Sequence, residues 1–131
     1  TLRGFHFQQH PHWEPKTVSC LRGSVYAIIV DLRPEKPTYR KWVSLEMNSR
    51  GTKSVHVPVG CAMAWLTLED STSLHYFMGE NYIPGLAAGV RYNDPQFGFR
   101  WPMDPVVISE KDKNLPDFDP KFFSPETPAA Q

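Results

Sequence analysis

Leu2-Arg3-Gly4-Phe5-His6-Phe7-Gln8 is the stretch from which the rest of the chain is read. Its alternation predicts a strand with one face in a core and one in a cavity. Leu2, Gly4, His6 and Gln8 would share one side, and Arg3, Phe5 and Phe7 the other. A strand histidine close to an arginine and upstream of Lys16 points to a lined pocket.

Further short runs of the same kind follow. Residues 16–20 alternate, and residues 22–24 read as a turn in which Gly23 is free to take positive φ. Residues 24–32 are rich in β-branched and aromatic types and read as a long buried strand. Residues 40–47, 53–57, 61–69 and 73–78 read as strands, with a proline-glycine corner at 58–60. Residues 81–85 read as a loop and 89–95 as a short extended piece. Residues 109–112 have the form of a capped helical turn, and the proline-rich tail from about 116 is expected to be peripheral. Short strands separated by turn signals predict an all-β fold, best matched by a cupin-type jelly-roll barrel with a short C-terminal helical segment. Such barrels keep a pocket lined by inward-facing side chains.

Composition narrows the partners. The 131 residues carry 14 basic and 14 acidic side chains, a formal net charge of zero. General nucleic-acid or anionic-membrane binding needs a basic excess, so neither is expected. No apolar run approaches the roughly 20 residues of a membrane helix. Cys20 and Cys61 lie in strand-like runs and form no CxxC pair, which suits buried free thiols in a reducing cytoplasm. One domain over residues 1–131 is expected.

Four groups are candidates for chemistry: His6, Lys16, Tyr76 and Asp112. Taken singly, each has an ordinary reading. His6 could be a structural strand histidine, Lys16 a solvated edge residue, Tyr76 part of the core and Asp112 a helix cap. His10, His12 and Glu14 resemble half of a cupin metal motif. Its second half would need a ligand at Met63, a poor donor beside histidine and carboxylate, and Glu14 follows His12 too closely. No metal is expected.

The segments LRGFHFQ (2–8), PHWEPKTVSCLRGSVYAIIVDLR (11–33), PTYRKWVSLEM (37–47), VHVPVGCAMAWL (55–66), HYFMGENYIPG (75–85), GVRYNDPQFGFRWP (89–102) and ISEKD (108–112) carry a resemblance. In this order, over nearly the whole chain, they resemble the dTDP-4-dehydrorhamnose 3,5-epimerases, cupin-fold enzymes of deoxysugar biosynthesis. The resemblance implies that His6 is the catalytic base, Asp112 its partner, Lys16 the group at the ketone oxygen and Tyr76 the general acid. It places Arg3 on the nucleotide diphosphate, and Gln8, Tyr82 and Met63 as further substrate contacts. It implies a dTDP-linked 4-keto-6-deoxy sugar as substrate, no cofactor and a homodimer.

Two departures from the family pattern stand out. Met63 occupies the place after the proline-glycine corner where the family usually has a histidine, and Trp65 adds bulk nearby. The sequence also lacks the region that the family carries before the LRG motif. These departures motivate one rival reading, a non-catalytic sugar-nucleotide-binding or structural cupin. A ketoisomerase acting on the same substrate class is a second rival.

Overall fold

The computed structural model describes residues 1–8, 15–51, 54–78, 87–105 and 107–118, with the backbone alone at 7, 8, 77, 78, 87 and 88. The described elements are β1 (Leu2–Arg3), β2 (His6–Gln8), β3 (Lys16–Arg22), β4 (Ser24–Asp31), β5 (Trp42–Asn48), β6 (Ser54–Val57), β7 (Cys61–Thr67), β8 (Ser73–Met78), β9 (Ala87–Gly89) and α1 (Glu110–Lys113). They form a four-stranded sheet in the order β1-β7-β4-β5, a three-stranded sheet β6-β3-β8 and a ribbon β2-β9. Every strand pairing among these is antiparallel.

The central strands β4 and β7 of the four-stranded sheet are buried on both faces, which explains the near-continuous apolar run in β4, while the edge strand β5 is more exposed. The sheet's inner face carries Val25, Ala27 and Met63, packed against Val18, Cys20 and Val57 of the three-stranded sheet. Its outer face carries Ile28, Val30, Ala62 and Ala64 beneath Phe5, Val90, Phe97 and Phe118. Phe5 stacks on Phe99 at 4.6 Å between centroids, and Phe99 stacks on Phe97 at 5.0 Å. The exposed face of the three-stranded sheet is polar, with Thr17 bonded to His56 and Ser19 to Ser54. Cys20 and Cys61 are buried free thiols.

Turn chemistry follows the sequence. Gly23 and Gly60 take φ of +77° and +90° at the expected turn and corner. Beside the corner, Asp31 accepts two bonds from the Arg33 guanidinium at 2.9 Å and one from Thr38. Burial raises the Asp31 carboxyl pKa, but these bonds outweigh it and leave the group below its ordinary range.

Two expectations need correction. Residues 2–8 are not one alternating strand. β1 ends at Arg3 on β7, and β2 begins at His6 on β9, with Gly4 at φ +122° between them. Parity is therefore broken, and Phe5 is buried under the aromatic layer. The tail is also not peripheral at its start. Phe118 is 5% exposed and packs against Phe97, while its N–H donates to Asp94.

Candidate active site

The break at Gly4 matters because it frees His6 to meet the C-terminal helical turn. The N–H of Asp112 donates to the Oγ of Ser109, so Ser109 caps α1 as its sequence suggests. Asp112 is the buried residue of that turn. Its Oδ1 lies 2.6 Å from Nε2 of His6, and its Oδ2 lies 3.4 Å from the N–H of Gly4. The His6 side chain is 51% exposed and that of Asp112 is 6% exposed. A carboxylate can only accept, so in the neutral ring Nε2 carries the proton and Nδ1 keeps the lone pair.

A second set of residues projects into the space between the sheets. Lys16 is 8% exposed, and its register opposite Val57 puts it on the inner face with Val18. Tyr76 stands opposite Val18 on the same face, so Lys16 and Tyr76 are diagonal neighbours across β3 and β8. Arg3 is paired with Trp65 across β1 and β7. Thr1, Arg3, Trp65, Thr67 and Tyr76 help to line a cleft of about 310 Å³. Burial raises the Tyr76 phenol well above the ordinary tyrosine range, and the Arg3 charge offsets this only partly. The phenol is therefore a protonated donor at neutral pH.

The structure thus joins His6 to Asp112, sets Tyr76 and Arg3 in the wall of the cleft, and buries Lys16 on the inner face beside Val18 without its lining that cleft. Among the described residues no hydrogen bond links the dyad to Tyr76. Met63 is 2% exposed within the inter-sheet core, one pleat from Trp65 on the same face. Tyr82, His10, His12 and Glu14 lie outside the described residues, as does the side chain of Gln8. A groove of about 430 Å³ beside α1, lined by Tyr92, Asp104, Glu110 and Lys113 among others, contains none of the expected site residues. Among the described residues no group of three or more His, Cys, Asp or Glu is placed to hold a metal ion.

Three further residues shape the site in ways that the sequence does not specify. Gly4 supplies an N–H to the carboxylate. Gly89, opposite His6, has no room for a Cβ, which would sit 2.6 Å from the Phe5 carbonyl. Trp65 packs its ring on Tyr76. A glycine within a strand was the available signal for the first two.

A sequence profile described as dTDP-4-dehydrorhamnose 3,5-epimerase matches residues 1–120. The chain belongs to the dTDP-4-dehydrorhamnose 3,5-epimerase family. It is 38% identical over 117 residues to the dTDP-4-dehydrorhamnose 3,5-epimerase of Sinorhizobium fredii, covering 88% of this chain and 60% of that one. It is 34% identical to a dTDP-4-dehydro-6-deoxyglucose 3-epimerase from a Streptomyces species, over 88% of this chain and 59% of that protein. The crystal structure of the Bacillus anthracis dTDP-4-dehydrorhamnose 3,5-epimerase with TDP and pyrophosphate bound superposes with a TM-score of 0.86 at 33% identity. That match covers 90% of this chain and 67% of that chain. This member of the epimerase family therefore has the cupin-type jelly-roll fold. It spans about three-fifths of the length of the curated relatives it matches. Among its described residues, no helix is long and apolar enough to cross a membrane.

Proposed function

We propose that this protein epimerises a dTDP-linked 4-keto-6-deoxyhexose at C3, at C5 or at both, in rhamnose-type deoxysugar biosynthesis. The observation that carries this reading is the 2.6 Å contact between the half-exposed imidazole of His6 and the buried carboxylate of Asp112. Membership of a family that includes both 3,5- and 3-epimerases supports it.

The ketone at C4 makes the neighbouring C–H bonds acidic. Nδ1 of His6 takes the proton from the ring carbon, and the bonding pair moves onto the C4 oxygen as an enolate. Asp112 holds the tautomer that leaves Nδ1 free and stabilises the imidazolium that forms. The Lys16 ammonium stabilises the enolate oxygen. The Tyr76 phenol returns a proton to the opposite face of the carbon, inverting it. The substrate's own ketone holds the electron pair until the carbon is reprotonated and the C4 carbonyl re-forms. The imidazolium of His6 then loses its proton to solvent and the Tyr76 phenolate regains one from it, which resets the site.

Arg3 binds the diphosphate, and Gln8 and Tyr82 complete the substrate contacts, while Met63, 2% exposed in the inter-sheet core, is not among them. The active unit is a homodimer in the cytoplasm, a compartment that suits the two buried free thiols. The test is incubation with dTDP-4-keto-6-deoxyglucose in deuterated water, read by NMR. The expected result is deuterium at C3, C5 or both, lost in His6→Ala. Absence of exchange in the unaltered protein, or undiminished exchange in His6→Ala, would overturn the proposal.

A further inference from the structure

We propose that Asp94, together with Arg91, is a positioning residue that fixes the distance between His6 and Asp112. The inference rests on the function proposed above and extends it to a part of the molecule that touches neither the imidazole nor the inter-sheet cleft.

The turn after β9 grips the chain just beyond α1. Asp94 is 1% exposed. Its Oδ2 accepts the N–H of Phe118 at 2.7 Å, and its Oδ1 accepts the N–H of Gln96 at 2.9 Å. The Arg91 guanidinium donates at 2.8 Å to the Leu115 carbonyl and at 2.8 Å to Oδ1 of Asp117. The Gln96 side-chain amide donates to the Phe118 carbonyl at 3.0 Å. A buried carboxylate that accepts two backbone N–H groups is a costly feature to leave half satisfied, so the geometry of this turn is tightly specified.

What makes the clamp relevant to proton transfer is that it closes a ring. His6 is paired with Gly89, and Phe5 and Val90 exchange both backbone bonds at 3.0 Å. Arg91 and Asp94 follow within the same turn and hold residues 115–118. Leu115 lies against Gly89, where an added Cβ would meet its Cδ1 at 2.9 Å. Asp112, at the other end of that short segment, returns to His6. The imidazole and the carboxylate are thus attached to two strips of backbone that Arg91 and Asp94 lock together. Slackening the lock lets α1 move relative to β2, and a dyad of this kind tolerates little misplacement.

The experiment compares Asp94→Asn, Arg91→Lys and Asp112→Asn, singly and combined, by solvent deuterium exchange into the keto sugar nucleotide. Asp94→Asn is expected to lower kcat about tenfold and leave KM within about twofold, because orientation rather than binding is lost. In an Asp112→Asn background the same change is expected to have no further effect, since its whole influence passes through that carboxylate. The downfield N–H proton of the His6–Asp112 bond, observed without substrate, should broaden or disappear in Asp94→Asn, which a loss of stability alone would not cause.

Losses that multiply in the double variant would overturn the inference. So would a lowered melting temperature with kcat and the downfield proton unchanged. If Asp94→Asn does not fold, Arg91→Lys decides: a smaller fall in kcat coupled to Asp112 supports the proposal, and an unchanged kcat overturns it. A wild-type exchange rate in Asp112→Asn removes the dyad and this inference with it. Loss of exchange in the His6 and Asp112 variants, with none in those at 91 and 94, removes this inference alone.

Discussion

The indole of Trp65 and the phenol of Tyr76 meet across the gap between the two sheets, with ring centroids 5.2 Å apart and planes inclined at 49°. The contact buries the phenol ring and holds it in the wall of the cleft. Tyr76→Phe keeps this packing and removes only the hydroxyl, so it tests chemistry rather than folding. The expected outcome is that loss of the first proton to solvent persists while net inversion slows by about a hundredfold, the scale of one general acid. NMR separates the two events. Equal retention of both would show that Tyr76 serves only the core.

The raised Tyr76 phenol also makes an alkaline prediction. A group whose pKa is higher in the folded than in the unfolded chain contributes stability that is complete below the unfolded value, about 10, and is lost as pH rises through the folded one. Tyrosinate absorbance should therefore show a late-titrating component that is missing from Tyr76→Phe. The unaltered protein should lose stability above about pH 10, more steeply than the variant.

Asp112→Asn should fold and still fail in exchange. The amide can occupy the same space beneath the imidazole but carries no charge to stabilise its cation. A fall in exchange of about a hundredfold or more is expected, with a melting temperature close to that of the unaltered protein. Exchange within twofold of normal would detach the carboxylate from the reaction.

Gly4→Ala should be disruptive, and the damage should reach the dyad. An added Cβ would lie 2.6 Å from Cα and Cβ of Ala64 and 2.8 Å from the Met63 carbonyl, at a φ of +122°. A loss of more than about 2 kcal/mol is expected in denaturant unfolding. The same step should displace the N–H that faces Asp112. Retained stability would show that the backbone at this point has more latitude than the contacts imply.

Asp31 gives the acid counterpart. Its folded-state pKa is lowered by the Arg33 and Thr38 bonds despite burial, so its stabilisation is present above the unfolded value near 4 and is lost as pH falls through the lower folded one. Asp31→Asn should cost about 2 kcal/mol at neutral pH, the scale of hydrogen bonds to a charged group. The gap between the two proteins should close on acidification below about pH 4, as followed by thermal melts.

The strands were legible wherever one local pattern set them. β3, β4, β7 and β8 fall where alternation or β-branched runs predict them, the turn at Gly23 bears the expected positive φ, and the expected corner at 58–60 is present. The break in residues 2–8 was not legible. It depends on Ala64, Asp112 and Val90, which are distant in sequence and press on Gly4 and Phe5 only once the chain is folded. The burial of Phe118 is illegible for the same reason, since nothing local announces that Asp94 and Phe97 capture it. In the site, the residues alone left His6 and Asp112 with structural readings. The family resemblance paired them, and the 2.6 Å contact gives that pairing a geometry.

The two members of the dyad are 106 residues apart in the chain. During synthesis the imidazole emerges from the ribosome long before its carboxylate has been made, and no nascent portion that ends before the capped turn can hold both. The proposed proton transfer by this pair thus requires the finished topology. In a refolding experiment, the onset of isotope uptake would mark the docking of the last turn against the first ribbon, later than any signal from sheet formation.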